Sequence, residues 1–216
     1  MLSGSPLERA YRVVVEGALI RPLGRTGVTP DHLTWAGLAV AGLAGLAAPW
    51  QPVAAGFLVL LGGLLDTLDG SLARATGRAT RTGAFLDSTL DRYAEFLVIV
   101  GVWGRCVRSG WELAGGVSAL LAVQGSLMVS YARARAEGLG HPLRGGVFER
   151  PERLLVLAAG LLATPAEEWF GVPPGTAGVV TLVVVAVGAN ATAVGRIVRA
   201  RRVLAEPARG TDVSGA

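Results

Sequence analysis

Four aspartates in one stretch, LLDTLDGSLARATGRATRTGAFLDSTLDRYAEFLVIV (residues 64–100), could do chemistry together. Asp66 and Asp69 are three residues apart, and Asp87 and Asp91 are four apart. On a helix each spacing puts both carboxylates on one face, separated by ~4.5–6 Å of axial rise. The segments that carry them read as membrane-spanning, where an aspartate at mid-helix costs ~2.5–3.5 kcal/mol and like charges add to that cost. Divalent cations relieve it. Hard oxygen donors without His or Cys nearby favour Mg²⁺ or Mn²⁺ over Zn²⁺. Four acids suit two metal ions, which clamp a diphosphate and stabilise the charge at both ends of an in-line displacement. Gly70 and Gly83 leave room for a ligand or backbone, and Arg74, one turn and a residue beyond Asp69, can face a phosphate. The competing interpretation pairs the aspartates with Arg74, Arg78, Arg81 and Arg92 as membrane-edge salt bridges. Two matched helical pairs with interleaved glycines favour a site, because ionisable groups inside a membrane are functional by default.

The elements that must hold these acids are apolar helices. Half of the 216 residues (51%) are hydrophobic and 17% are charged, against about 25% charged in soluble domains. The expected fold is all-α, a polytopic membrane protein with six transmembrane helices near 32–50, 53–73, 83–104, 112–132, 153–170 and 175–196. The pair-bearing helices are consecutive, antiparallel and joined by a short connection, so their acidic faces are expected to meet. Residues 6–21 put Leu7, Tyr11, Val14, Val15 and Ala18 on one stripe, which predicts an amphipathic interfacial helix within residues 1–25. The six-helix domain is then 26–203, and 204–216 a disordered tail. The N-terminus lacks the basic and apolar run of a cleavable signal peptide, and the lone Cys106 forms no internal disulfide. All 20 basic residues are arginine, and with six spans only Arg105 and Arg108 fall outside the face that holds both termini. The positive-inside rule places that face, and the site, on the cytoplasmic side of the cell membrane. The net charge of +4 is accounted for by anionic membrane lipid, with no nucleic-acid partner.

The pattern Asp66-x2-Asp69-Gly70-x2-Ala73-Arg74-x8-Gly83-x3-Asp87-x3-Asp91 resembles the full signature of the CDP-alcohol phosphatidyltransferases, with no position missing. The resemblance implies an integral membrane enzyme, usually a homodimer, that transfers a phosphatidyl group from a CDP-linked lipid such as CDP-diacylglycerol to an alcohol and releases CMP. It implies that Asp66, Asp69, Asp87 and Asp91 hold two Mg²⁺ ions, with Mn²⁺ as a substitute, and that Asp91 is the base for the acceptor hydroxyl. Gly70, Ala73, Arg74 and Thr80 would face the cytidine diphosphate. In GVTPDHLTWAGL (27–38), Thr29, Pro30 and Asp31 form a strong helix start, and the resemblance adds Thr29, Asp31 and His32 to the nucleotide pocket.

Two further segments, SYARARAEGLG (130–140) and GGVFERPERLL (145–155), are similar to those of phosphatidylinositol-phosphate synthases and their archaeal counterparts. By that resemblance Arg133, Arg153 and Arg196 would gather the phosphate of inositol 1-phosphate or a similar phosphorylated alcohol. Related enzymes carry Lys where Arg133 stands, so a cation is kept with a different binding geometry. Glycerol 3-phosphate or another small alcohol is the alternative acceptor. From a different class, a divalent-cation transporter also uses membrane carboxylates. It would spread them across the membrane depth, whereas these four lie at one end.

Overall fold

The computed structural model describes residue 20, residues 22 and 23, and residues 26–143 and 145–205. Seven helices follow one another between Pro30 and Ala205: α1 (Pro30–Ala47), α2 (Pro52–Ala75), α3 (Arg81–Arg108), α4 (Glu112–Gly138), α5 (Arg150–Leu162), α6 (Thr164–Trp169) and α7 (Thr176–Ala205). Prolines at the first positions of α1, α2, α5 and α6 set these starts, since a first-turn proline forfeits no intrahelical bond. Gly77, at φ +66°, turns the chain between α2 and α3 in a conformation that favours glycine.

Among the described residues three helices, α2, α4 and α7, are long and apolar enough to cross a membrane. The molecule's outside matches: Leu46, Leu120 and Val187 are exposed, while the interior is built on small residues such as Ala44, Ala48, Ala55 and Ala122. The protein is a membrane protein. The expected fifth span, 153–170, is divided. Helix α5 stops at Leu162 and Pro165 falls in the first turn of α6, so α5 is 13 residues, ~20 Å, against a hydrocarbon core of ~30 Å. Helix α3 is long but carries Asp87, Asp91, Arg92 and Glu95 within nine residues.

Small residues decide the packing. Helix α1 lies against both α2 and α3, α4 packs most extensively on α7, and α5 packs on α2 and α7. Gly37 of α1 faces α2 at Gly62, and a Cβ on Gly45 would stand 2.4 Å from the Leu97 carbonyl oxygen of α3, so the α1 and α3 backbones touch there. The predicted interfacial helix over 6–21 falls almost wholly outside the described residues. Ile20, at its end, is buried with Leu33, Leu68 and Leu72 of α1 and α2. The expected tail is likewise outside from Glu206 on, and α7 continues through Ala205, two residues into it.

Candidate active site

Helices α2 and α3 do not pack extensively on each other. Their acidic faces nonetheless meet, as expected: α1 packs against both helices, and the carboxylates of the two come together in one cleft. Asp66, Asp69 and Asp87 each offer a carboxylate oxygen within 4.8 Å of the others. Octahedral Mg²⁺ with ligands at ~2.1 Å spans at most ~4.2 Å between opposite oxygens, so small side-chain rotations close the set. Asp87 Oδ1 is buried and has no hydrogen-bond partner, the condition of a ligand atom prepared for a cation. The donor set is all oxygen, and it fits a hard divalent ion.

Asp91 joins this group through a residue that the sequence did not single out. Arg150 Nη1 stands 2.7 Å from Asp66 Oδ2, and its Nη2 stands 2.8 Å from Asp91 Oδ1, so one guanidinium bridges α2 and α3 from the start of α5. A cation in the first turn of a helix opposes the macrodipole, and that was the available signal. Arg92 lies farther from Asp91, at 3.8 Å, and also donates to the Ser88 carbonyl. The membrane-edge salt bridges considered above therefore exist in part, with Arg150 as the principal cation.

Thr34 was missed as well. Its hydroxyl donates to Asp69 Oδ2 at 2.7 Å and fixes that carboxylate from α1. Position 34 follows Pro30 and Asp31 by four and three residues, which puts it on their face of α1. Partners that orient a ligand are commonly worth 10–100-fold in metal affinity. Thr34→Val should thus weaken Mn²⁺ binding by roughly tenfold or more. Titration of the purified protein checks this, and an unchanged affinity would remove the orienting role.

Beside the acids, a cleft runs between the start of α1, the end of α2 and the start of α3. Asp31, Gly70, Ala73, Arg74, Arg78, Thr80, Gly83 and Asp87 line it. Arg74 folds back over Gly70, where a Cβ would lie 3.3 Å from its Nη1, and donates to Ser71 Oγ. Thr80 caps α3 by accepting from the Gly83 N–H at 3.0 Å. Thr29 and His32 stand outside the lining. They cap α1 reciprocally, each side chain accepting from the other's backbone N–H at 3.3 Å.

The three arginines expected to share an acceptor phosphate are each engaged by protein acceptors. Arg133 is exposed and pairs with Glu137 on its own helix at 2.9 Å. Arg196 is buried, donating to the Val129 carbonyl at 2.8 Å and to Glu149 at 2.7 Å. Arg153 is 2% exposed, with Nε and Nη2 on the two oxygens of Glu95 and Nη1 on the Phe148 carbonyl. Those three contacts use three of the five N–H donors of the Arg153 guanidinium.

Residues 27–190 match the family described as CDP-alcohol phosphatidyltransferase. The chain belongs to this family. As a CDP-alcohol phosphatidyltransferase it is an enzyme of membrane-lipid synthesis, which sets the transporter alternative aside. It is 36% identical over 154 residues to an archaetidylinositol phosphate synthase of Methanothermobacter thermautotrophicus, covering 71% of this chain and 76% of that one. It is 39% identical over 160 residues to a phosphatidylinositol phosphate synthase of Mycobacteroides abscessus, covering 72% of each. The crystal structure of the Mycobacterium tuberculosis phosphatidylinositol phosphate synthase with CDP-DAG bound superposes with a TM-score of 0.73 at 32% identity, over 85% of this chain and 92% of that one. The same protein in complex with manganese and citrate gives a TM-score of 0.71 at 31% identity, over 85% and 88%.

Proposed function

We propose that this phosphatidyltransferase moves the phosphatidyl group of CDP-diacylglycerol to inositol 1-phosphate, forming phosphatidylinositol phosphate and CMP. The observation that carries the proposal is the carboxylate trio at the end of a cleft lined by Arg74 and Arg78, which suits a diphosphate held between metal and cation. The relatives named for phosphatidylinositol and archaetidylinositol phosphate synthesis, and the CDP-DAG and manganese bound by the mycobacterial protein, support the substrates and the ions.

Asp66, Asp69 and Asp87 hold one divalent ion, and with Asp91 they hold a second. When bound, the ions neutralise the diphosphate and stabilise the leaving CMP. Gly70, Ala73, Arg74, Thr80 and Asp31 seat the cytidine diphosphate, while Thr29 and His32 set the start of α1 that presents Asp31. Asp91 takes the proton from the acceptor hydroxyl, and Arg150 holds its carboxylate toward Asp66. Arg133, Arg153 and Arg196 attract the acceptor's phosphate. Residues 26–203 form the catalytic domain, with α1, α2, α3, α4, α5 together with α6, and α7 as six crossings. The arginine distribution supports a site and both termini on the cytoplasmic side of the cell membrane, and the family resemblance supports a homodimer.

An acceptor panel in detergent tests the proposal. Inositol 1-phosphate should drive CMP release from CDP-diacylglycerol, whereas unphosphorylated inositol and serine should do so poorly, because an uncharged polyol gains little from three cations. Arg133→Ala should raise KM for inositol 1-phosphate roughly tenfold and leave KM for the CDP-lipid unchanged. If glycerol 3-phosphate is the much better substrate, the inositol assignment fails and the transferase assignment stands.

A further inference from the structure

Glu149 is an acid set against one of the arginines that attract the acceptor's phosphate, and no step of the proposed reaction uses it. It stands at the N-cap of α5, one residue before Arg150, yet its side chain makes no capping bond there. A carboxylate at that position ordinarily turns to the free N–H groups of the first turn. This one turns to α7, where Oε1 accepts from Arg196 Nη2 at 2.7 Å. Arg196 is 3% exposed, with Nη1 on the Val129 carbonyl and a buried Nε that has no hydrogen-bond partner among the described residues. The Glu149 side chain is 35% exposed, so the acid is the open half of the pair. The segment before α5 is seated along α7. Phe148 fills a notch at Gly188, where a Cβ would stand 2.6 Å from its ring, and Gly146 lies against Thr192. A Cβ on Gly146 would also meet Glu149 Oε1 at 3.2 Å and Arg196 Nη2 at 3.4 Å, so glycine keeps the space beside the pair clear.

We infer that Glu149 is a specificity-determining residue for the acceptor: its carboxylate accepts hydrogen bonds from the ring hydroxyls of inositol 1-phosphate while the arginines take the phosphate. A site for phosphate alone would be stronger without this acid, because a carboxylate in contact with Arg196 repels an incoming anion. Arginines offer only donors, and their hold on a phosphate is the same whichever alcohol carries it. An ionised carboxylate offers only acceptors, and with Oε1 on Arg196 the other oxygen is left for a hydroxyl. The bond to Arg196 and the seating of Gly146 and Phe148 on α7 fix the direction of that oxygen in advance, which lowers the cost of binding. Glu149 is also next in the chain to Arg150, which reaches the base Asp91 at 2.8 Å. Glycerol 3-phosphate presents the same phosphate without the ring, so the carboxylate is the group that tells the two apart. A site built to bond a hydroxyl discriminates strongly against a ligand that lacks it. The inference rests on the proposed reaction, whose choice of acceptor it explains.

The test compares Glu149→Gln with the parent in detergent at saturating CDP-diacylglycerol. The amide oxygen can still accept from Arg196, so the pair keeps its shape and loses the negative charge. KM for inositol 1-phosphate should rise roughly tenfold or more, the worth of a hydrogen bond to a charged group, while KM for the CDP-lipid stays near the parental value. Inorganic phosphate and glycerol 3-phosphate, measured as competitors of inositol 1-phosphate, should bind as tightly as before or more tightly, because a repelling charge is gone. A residue that only held Arg196 in place would weaken all three anions together. That outcome, or an unchanged KM for inositol 1-phosphate, would overturn the inference. If Glu149→Gln does not fold, Glu149→Asp keeps the charge and draws the carboxylate back by one methylene. The same contrast between inositol 1-phosphate and inorganic phosphate is expected of it. A parent that releases no CMP with inositol 1-phosphate would defeat the proposed reaction. Calorimetric binding of inositol 1-phosphate and inorganic phosphate to parent and variant would then still decide the role of Glu149, and an equal preference in both proteins would sink it.

Discussion

The Asp69→Asn enzyme should release CMP from CDP-diacylglycerol roughly a thousandfold more slowly than the parent, a loss of about 4 kcal/mol in transition-state stabilisation. Asp69 is buried, and its Oδ2 accepts from Thr34. An amide oxygen can still accept that hydrogen bond, so the side chain keeps its direction and loses its charge. A neutral amide is a poorer ligand for a hard cation, and it leaves the trio with two charges in place of three. Mn²⁺ titration should show the matching loss of affinity, while the melting temperature should hold or rise, because one of several crowded acids has been neutralised. Chelation of the parent with EDTA should abolish CMP release, and added Mg²⁺ should restore it. Activity within tenfold of the parent at full Mn²⁺ occupancy would remove Asp69 from the metal set.

Asp91→Asn should act on turnover. A positioned general base contributes roughly a hundredfold to ten-thousandfold, and kcat should fall within that range. The amide can still accept the Arg150 hydrogen bond now made by Asp91 Oδ1, so the bridge to Asp66 has reason to persist. The CDP-lipid cleft does not include Asp91, and KM for that substrate should stay near the parental value. Mn²⁺ occupancy measured on the same preparation separates the roles. A turnover loss with normal occupancy marks the base, and a loss that extra Mn²⁺ repairs marks a ligand. Near-normal turnover would eliminate both.

Much of this site was legible because it obeys local periodicity. Three- and four-residue spacings fix which face of a helix a carboxylate occupies, whatever else the helix touches. Asp66, Asp69 and Asp87 therefore converge as their spacing required. The same holds for Thr80, Gly70 and Arg74, which share a loop and a helix end with those acids. Thr29 and His32 were drawn into the nucleotide pocket by resemblance; Thr29, with Pro30 and Asp31, already marked a helix start, and in the structure Thr29 and His32 together cap that helix. Glu95 stood in the opening stretch and was passed over because it lies outside the motif. An acid one turn deeper into an apolar helix is itself a strong signal that a buried cation faces it.

The sequence by itself determined the helical class, the apolar surface, the paired acids and the turns at proline and glycine, since each depends on residues within a few positions of one another. Tertiary structure decided which charges meet. Arg150 reaches Asp66 and Asp91 from more than fifty residues away, Thr34 reaches Asp69 across the cleft, and Arg153 pairs with Glu95. The arginine-rich face offers many cations of similar sequence character, so composition and spacing rank them alike. Only the packing of α1 against both α2 and α3, permitted by glycines at the backbone contacts, and the seating of α5 against that group select one guanidinium for the site and bury another beneath it.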